Sequence, residues 1–304
     1  MRYVIIGGSA AAIGCIEGVR SVDKTGEIIL ITGETEWNYS RPLISYLLEG
    51  KTTRDKMWCR PDSFFTRNGV TVKAGVLATA LDAGDRTVRL STGERLAYDR
   101  LLAATGSRPF VPPIPGLETV ERTFCFQTLS DASALAEALR PESRVLILGA
   151  GLTGVKCAEG IRGLCAQIAI ADLAPRVLPA VLDDTAAAMV QARMEEKGVR
   201  FYLNDSAAAF RGNTARLQSG TELEFDVLVT AVGVRPNTQL VADAGGAVDR
   251  GILVDGRCAT TLPDVYAAGD CAQGYDAVSG EKRMLPLWPN AVLQGETAGI
   301  NMAG

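Results

Sequence analysis

Aliphatic and polar positions follow the same order twice along the chain. Residues 2–6 and 144–148 are short β-branched and aliphatic runs, and each is followed by a glycine-rich turn and then by apolar residues at helical spacing. A second apolar run follows at residues 27–32 and 167–171. Strand, turn, helix and strand in this order form a βαβ unit with parallel strands. The pattern therefore predicts two α/β units.

The two units are copies of one another. Residues 2–20, RYVIIGGSAAAIGCIEGVR, align without a gap with residues 144–162, RVLILGAGLTGVKCAEGIR. A second repeat pairs residues 98–109, YDRLLAATGSRP, with residues 225–236, FDVLVTAVGVRP. Each member of this second pair is a predicted strand that ends in small residues and leaves its sheet through Arg-Pro. The chain is therefore expected to contain two domains of the same kind.

The turn of the second copy carries the pattern G-x-G-x-x-G at Gly149, Gly151 and Gly154. The first glycine permits a tight turn, the second lets a pyrophosphate approach the backbone, and the third lets helix and strand pack closely. Asp172 follows the next strand, where a carboxylate binds both ribose hydroxyls and repels a 2′-phosphate, so NAD is favoured. Arg176 keeps NADP open, and an α/β turn without a ligand is the plainer alternative. The predicted NAD-binding residues are Gly149, Gly151, Leu152, Thr153, Gly154, Asp172 and Gly233.

The turn of the first copy departs from this pattern. Gly7 occupies the first position, but Ser9 and Ala12 stand where the second and third glycines would be. Both side chains are small, so a dinucleotide can still approach the backbone. Glu34 is the candidate ribose acid, although its spacing is loose and Gly33 is nearer the usual position. Together with the repeat, these residues predict a second dinucleotide site.

The repeats also predict the domain organisation. The first domain is expected to be discontinuous, formed by residues 1–112 and 236–304, with a second domain of residues 113–235 inserted in it. The proline-rich segment PIPGLETV near residue 113 is typical of a linker. The expected fold class is α/β, with two Rossmann-like, three-layer (ββα) dinucleotide-binding domains.

Composition excludes several other classes of protein. The 304 residues are 47% hydrophobic, carry a net charge of −4 and contain no basic block, which argues against nucleic acid as a partner. No apolar run reaches the ~20 residues of a membrane span and no signal peptide is evident, so a cytoplasmic protein without membrane contact is expected. The chain has no histidine, which excludes Ser-His-Asp catalysis. The seven cysteines form no CxxC pair, so free thiols and no metal site are expected.

The order of several motifs resembles that of a known family. The motifs are VIIGGSAAA at 4–12, YSRPLISYLL at 39–48, AATGSRP at 103–109, LILGAGLTG at 146–154, VGVRPN at 232–237, VYAAGD at 265–270 and LWPNAVLQG at 287–295. Over its whole length the chain resembles the FAD/NAD(P)-dependent pyridine nucleotide-disulfide oxidoreductases, in particular the branch of NADH:rubredoxin reductase, nitrite reductase and NADH oxidase. The resemblance implies FAD in the first domain and NAD(H) in the second.

The same resemblance implies an FAD site. Asp270 is expected to bond the flavin ribitol or phosphate, while Arg41 and Pro42 lie along the flavin and the pyrophosphate. An arginine suits phosphate because its planar fork pairs two oxygens. Trp288 is expected beside the isoalloxazine ring; a surface turn acid and a core aromatic are the plainer interpretations of Asp270 and Trp288. The expected FAD-binding residues are Gly7, Ser9, Ala10, Ala11, Glu34, Arg41, Pro42, Ala78, Ala104, Thr105, Gly106, Gly269, Asp270 and Trp288.

Two departures from the family's pattern change the expected chemistry. Thiol-using relatives place a redox-active cysteine near Ser45, so no flavin–thiol relay is expected and the nearest thiol, Cys59, is interpreted as structural. Many relatives also carry a Lys–Glu pair beside the flavin, at positions held here by Ser45 and Lys156. As the candidate catalytic groups we expect Lys156, whose charge would stabilise an anionic reduced flavin, and Glu159 as its ion-pair partner.

A third departure concerns length. The family usually continues for a further domain that commonly mediates dimerisation and covers the flavin, whereas this sequence ends at Gly304. Either the chain docks on another subunit or the sequence is short, so the expected oligomeric state is left open.

Together these features predict an NADH:acceptor oxidoreductase. Hydride would pass from NADH to FAD, and electrons would pass on to a small rubredoxin- or ferredoxin-like protein or to a partner subunit. A thioredoxin-reductase-like enzyme fits the chain length but requires a CxxC in the nicotinamide domain, and none is present. An electron-transfer subunit of a larger complex, with FAD bound but little activity alone, is the alternative from another class.

Overall fold

The structure is a computed structural model that describes residues 1–304. Its helices are α1 (Ala10–Val22), α2 (Ile44–Leu48), α3 (Asp62–Arg67), α4 (Leu129–Ala138), α5 (Leu152–Ile161), α6 (Asp184–Glu195), α7 (Gln239–Asp243) and α8 (Trp288–Ala303). Its strands are β1 (Arg2–Ile6), β2 (Glu27–Thr32), β3 (Val70–Ala74), β4 (Ala78–Asp82), β5 (Thr87–Leu90), β6 (Arg95–Ala97), β7 (Arg100–Ala103), β8 (Ser107–Pro109), β9 (Thr123–Cys125), β10 (Arg144–Leu148), β11 (Gln167–Asp172), β12 (Val199–Leu203), β13 (Ala207–Arg211), β14 (Thr214–Leu217), β15 (Glu222–Glu224), β16 (Val227–Thr230), β17 (Val234–Pro236), β18 (Ile252–Leu253), β19 (Val265–Ala267), β20 (Ala272–Asp276) and β21 (Glu281–Arg283). None of the helices combines the length and the apolar character that a membrane crossing requires.

The chain forms two compact units. The first contains residues 1–40, 58–107 and 236–304, and the second contains residues 41–57 and 108–235. Residues 41–57, which the repeats alone would assign to the first domain, thus pack with the second unit. The reason is the close approach of α2 to α5, where a Cβ added at Gly160 would lie 3.0 Å from the carbonyl oxygen of Ser45.

The first unit is built on a parallel five-stranded sheet in the order β19-β7-β1-β2-β3. Apolar side chains of β1 alternate between its two faces. Tyr3 and Ile5 pack with α1, α3 and α8, whereas Val4 and Ile6 pack against the antiparallel sheet β4-β5-β6. The unit therefore has three layers, a helical layer, a parallel sheet and an antiparallel sheet.

The second unit repeats this plan. Its parallel sheet has the order β12-β11-β10-β16-β9, and β13-β14-β15 forms the antiparallel layer. Leu146 and Leu148 of β10 pack there with Phe210 and Phe225, whose rings meet edge to face at 5.9 Å between centroids. The predicted fold class is confirmed, since both units are Rossmann-like three-layer domains and the second is inserted in the first.

Helices α1 and α8 touch backbone to backbone in the first unit. A Cβ added at Gly14 would lie 2.2 Å from the carbonyl oxygen of Val292, so no larger residue fits without separating the helices. This contact fixes α8, whose Gln294 side chain accepts a hydrogen bond of 2.9 Å from the Gly269 N–H. The four glycines that make the contact are Gly14, Gly18, Gly295 and Gly299.

Candidate functional site

Two of the three glycines in the second unit's turn are required by the fold. Gly149 has φ of +109°, and a Cβ there would lie 2.4 Å from the carbonyl oxygen of Ala231. A Cβ at Gly154 would lie 1.9 Å from the carbonyl oxygen of Gly149. The first glycine therefore makes the tight turn, and the third lets α5 begin directly over the end of β10.

Gly151 is different, because nothing in the protein requires a glycine there. Its backbone is extended, with φ of −75° and ψ of −176°, and an added Cβ would have no atom within 4 Å. Gly151 is also the N-cap of α5, which has neither a capping side chain nor an acid in its first turn. The first N–H groups of α5 are therefore left for an anion, and the space beside Gly151 is open.

Two other helices of the second unit, α4 and α6, begin with a side-chain cap, whereas α5 and the short α2 do not. Thr128 and Asp131 form a capping box at the start of α4, and the side chain of Asp183 caps α6. Such caps stabilise a helix by about 1 kcal/mol. The start of α5 follows the glycine turn, and its first N–H groups have no capping side chain, so they are suited to a bound phosphate.

Asp172 lies at the carboxyl end of β11, beside the same turn. Its carboxylate accepts hydrogen bonds from the Ala150 N–H at 2.5 Å and from the Ala174 N–H at 2.7 Å. These bonds orient the carboxylate at the edge of the sheet where Gly233 follows β16, with open space beside it. The structure thus brings the expected NAD-binding residues together, whereas Arg176 forms an ion pair of 3.0 Å with Asp184.

The first unit brings its own small residues together in the same way. Gly7 has φ of +127°, and a Cβ there would lie 2.1 Å from the carbonyl oxygen of Ala104. Asp270 follows β19 at the same edge of the sheet, where its carboxylate accepts a hydrogen bond of 2.9 Å from the Ser107 hydroxyl. Gly269, with φ of +81°, packs against the Cβ of Ala11.

The start of α1 is uncapped like that of α5. Ser9 is the N-cap in an extended conformation, but its side chain makes no capping hydrogen bond and the first turn contains no acid. Ala12 is fully buried at the position equivalent to Gly154, so α1 leaves its turn less tightly than α5 does. Ala10 and Ala11, the first helical residues, have free N–H groups for a second phosphate site.

Glu34, the candidate ribose acid of the first unit, does not occupy the position that Asp172 has in the second unit. The Gly7 N–H donates to the Ile31 carbonyl, as the Gly149 N–H donates to that of Ala171. This register makes Thr32 the structural equivalent of Asp172, and Glu34 lies two residues beyond. The Glu34 carboxylate accepts a hydrogen bond of 2.5 Å from the Tyr39 hydroxyl, and its role in ribose binding stays a prediction.

The sequence patterns did not indicate Asn38, which lies beside the turn of the first unit. Its N–H donates to the Gly8 carbonyl at 3.1 Å, and its side-chain amide donates to the Arg60 carbonyl at 2.6 Å. The side-chain oxygen is buried without a hydrogen-bond partner. Such an orphan acceptor costs about 1–3 kcal/mol, and the hydroxyl donors of FAD suit it. Asn38 also has an unusual positive φ of +65°, and neither this backbone angle nor the orphan acceptor can be inferred from the sequence.

The remaining expected FAD-binding residues are dispersed over the two units. Ala78 begins β4, and Trp288 begins α8 and packs against the core of the first unit. Arg41 and Pro42 form a 3-10 turn in the second unit, where an Arg41 guanidinium N–H donates to the Gln127 carbonyl at 3.0 Å. Their contacts with FAD stay predictions.

Lys156 and Glu159 form an ion pair on the surface of α5. Within this ion pair, a hydrogen bond from the Lys156 ammonium to the Glu159 carboxylate holds the pKa of Glu159 below its ordinary value. The Lys156 ammonium also lies 4.2 Å from the ring centroid of Tyr46, a cation–π contact. Ser45, at the position where relatives carry a lysine or a cysteine, is buried and its hydroxyl has no partner.

The thiols show no sign of activation. All seven cysteines are free. Burial raises the pKa of Cys59, Cys165 and Cys258 to about 11, and it also raises the pKa of Cys15 and Cys157. A reactive cysteine needs a lowered pKa, because the thiolate is the nucleophile. No group of three or more acidic or cysteine side chains is arranged to hold a metal ion.

Known proteins share both the sequence and the fold. A family model described as pyridine nucleotide-disulphide oxidoreductase matches residues 1–295. The NADH-dependent phenylglyoxylate dehydrogenase subunit epsilon of Aromatoleum evansii is 34% identical over 100% of this chain and 72% of its own length. The rubredoxin-NAD(+) reductase of Pseudomonas putida is 29% identical over 100% of this chain and 80% of its own length. A solved structure, the covalent putidaredoxin reductase–putidaredoxin complex, matches with a TM-score of 0.92 and 26% identity, covering 99% of this chain and 75% of that one.

The geometry and these similarities agree. Each unit has a β-turn-α segment whose helix starts without a capping side chain, and the family match spans both units. The chain therefore belongs to the pyridine nucleotide-disulphide oxidoreductase family and is an NAD(P)H-dependent flavoprotein oxidoreductase that binds FAD and NAD(H).

Proposed function

We propose that the protein is an NADH:acceptor oxidoreductase that delivers electrons to a small redox protein. The main observation behind this proposal is that the glycine turns of the two units differ in sequence and in the acid beside them. Only the second unit combines an uncapped glycine turn with a carboxylate at the end of the next strand, as a site for NADH requires. When bound, FAD accepts a hydride and releases single electrons, which converts a two-electron donor into a one-electron supply.

The residues of the second unit would bind and orient NADH. The first N–H groups of α5 would hold the pyrophosphate, and Asp172 would accept hydrogen bonds from the adenosine ribose. The exposed side chains of Leu152 and Leu173, at 64% and 63% of their full accessibility, offer apolar surface on either side of that carboxylate. Binding in one orientation lowers the barrier to hydride transfer, because the reacting groups are already aligned.

A preference for NADH over NADPH follows from the charges at this edge. Asp172 would repel a 2′-phosphate, and the nearby Arg176 is already engaged by Asp184. An Asp172→Ser variant should therefore bind NADH about tenfold more weakly, the equivalent of ~1.4 kcal/mol, and should discriminate less against NADPH. The ratio of kcat/KM for the two nucleotides measures this. An unchanged ratio would contradict the assignment of Asp172, and a Glu118→Ser variant, altered at an exposed acid of the same unit, is the control.

Two features support a small redox protein as the acceptor. Burial raises the pKa of Cys59 and Cys165 to about 11, which disfavours an internal disulfide relay through these thiols. Similar proteins are named for such acceptors, namely a rubredoxin-NAD(+) reductase and a putidaredoxin reductase bound to putidaredoxin.

The direct test is reduction by NADH of the purified, FAD-loaded chain. The flavin absorption should bleach when NADH is added under anaerobic conditions. Ferricyanide should then be reduced catalytically, and a purified rubredoxin or [2Fe–2S] ferredoxin should support turnover as well. A flavin that NADH leaves oxidised would overturn the proposal.

A second candidate function has specific support. The relative from Aromatoleum evansii is named as a subunit of a larger dehydrogenase. A protein of this kind would be reduced by NADH but would pass electrons to neither free rubredoxin nor free ferredoxin. Turnover with ferricyanide but with no free redox protein would favour this candidate, and co-purification of the partner subunit would identify the acceptor.

A further inference from the structure

An apolar groove with a volume of about 330 Å³ lies between α5 and α6 in the second unit. Along α5 it extends from Val155, directly after Gly154, to Arg162, just beyond the end of the helix. The NAD-binding residues described above do not line it. The apolar side chains that line it are Val155, Ala158, Met189, Val190, Met194 and Val199.

The groove exists because α6 covers the domain incompletely. Ala187 is the only residue of α6 that is buried, whereas six residues of α5 are. Met189 remains 71% exposed, although it is one of the most apolar residues of α6. An apolar groove that the chain does not cover marks a binding surface more often than a structural accident.

The rim of the groove is cationic. Arg162, Arg193 and Lys197 line it together with one acid, Glu159. Glu159 is paired with Lys156, and Arg193 is paired with Glu196 at 2.7 Å. Arg162 and Lys197 form no ion pair within 4 Å. On a protein with a net charge of −4, this leaves a rim with more cations than anions beside an apolar floor.

We propose that the groove binds a small amphipathic anion, an alkyl or aryl carboxylate. The apolar body would lie against Met189 and Met194, whose flexible thioether side chains adapt to irregular shapes. The carboxylate would lie between Arg162, which can pair both oxygens, and Lys197. The volume is at the lower end of the range for sites that bind small molecules.

The test uses the full chain with FAD bound and excess NAD⁺ present, so that the nucleotide sites are filled. Methionine methyl groups are labelled with ¹³C and followed by NMR during a titration with decanoate. The signals of Met189 and Met194 should shift saturably at millimolar decanoate or below. The signals of Met57 and Met302, both 1% exposed, should not move and serve as internal controls.

Two variants check the role of charge. Arg162→Glu should weaken decanoate binding at least about tenfold, and Arg216→Glu, at an exposed arginine of β14, should leave it unchanged. The proposal is overturned if the two groove methionines do not respond, or if the shift is equal in Arg162→Glu. It is also overturned if the groove methionines shift with protein concentration, because the groove would then bind a second copy of the chain. No turnover is measured, so the result is independent of the proposed function.

Discussion

Replacing Gly151 by alanine should weaken NADH binding while leaving the fold intact. Of the three glycines in the turn, only this one has an extended backbone and no atom within 4 Å of an added Cβ. Alanine there creates no clash; it restricts the unfolded chain but is a poorer N-cap than glycine, so the free energy of unfolding should change by less than about 1 kcal/mol. The new methyl group would instead occupy the space where a pyrophosphate approaches the start of α5.

The loss of affinity can be estimated from this geometry. A hydrogen bond from a backbone N–H to a phosphate requires a donor–acceptor distance of about 2.7–3.2 Å. A methyl group that displaces the pyrophosphate by ~1 Å removes at least one such bond, worth about 1.5–3 kcal/mol when the acceptor is charged. The dissociation constant for NADH should therefore rise by about ten- to a hundredfold.

Gly154→Ala, in contrast, should destabilise the fold. Its Cβ would lie 1.9 Å from the Gly149 carbonyl oxygen, so α5 must shift or the turn must open. Overpacking of this kind costs about 1–3 kcal/mol of unfolding free energy. Gly163→Ala, at an exposed glycine with open space after α5, should change neither NADH affinity nor the fold appreciably.

Urea unfolding and NADH titration of the three variants test this reasoning. The result that refutes it is a Gly151→Ala protein that is as stable as the wild type and binds NADH equally well. Loss of NADH binding in Gly163→Ala would also refute it, because an exposed glycine outside the turn would then have the same effect.

Three further predictions concern the rest of the molecule. Gly18→Ala places a Cβ 2.3 Å from the backbone of α8, so it should lower the free energy of unfolding by about 1–3 kcal/mol, as measured by urea unfolding. The variant should also release FAD more readily, as measured by flavin fluorescence. Burial, and then a hydrogen bond to Asp23, raises the pKa of Tyr3 to about 12, so its contribution to stability is present below pH ~10 and is lost as the pH rises towards 12. A Tyr3→Phe variant should accordingly lose less stability over that range than the wild type, and an equal loss would argue against the assignment. Cys59→Ser should keep NADH-driven turnover within about twofold, because this thiol is protonated at neutral pH; a large loss would point to a thiol relay.

The paired βαβ units were predictable because their signals are local. Strands β1 and β10 lie in the expected apolar runs, and each glycine turn lies between strand and helix. Apolar alternation and glycine position are properties of neighbouring residues, so one sequence window contains the information. The position of Asp172 at the end of β11 was predictable for the same reason, since its distance from the turn is set by one helix and one strand; its role in binding NAD stays a prediction.

The candidate site of the first unit was less predictable. Its ribose acid was sought by spacing along the chain, but the strand register makes Thr32 the equivalent of Asp172. Asn38 carried no signal at all, because its orphan acceptor arises only when the segment after β2 folds back against Gly8. In both cases the decisive contact joins residues whose distance in space cannot be read from their spacing.

By itself, the sequence determined the fold class and the position of the two glycine turns between strand and helix. Only the tertiary structure decided that residues 41–57 pack with the second unit and that α1 touches α8 through glycines. It also left the groove between α5 and α6 uncovered. The physical reason is that periodicity and turn geometry act over a few residues, whereas packing and the satisfaction of polar atoms depend on segments brought together from distant parts of the chain.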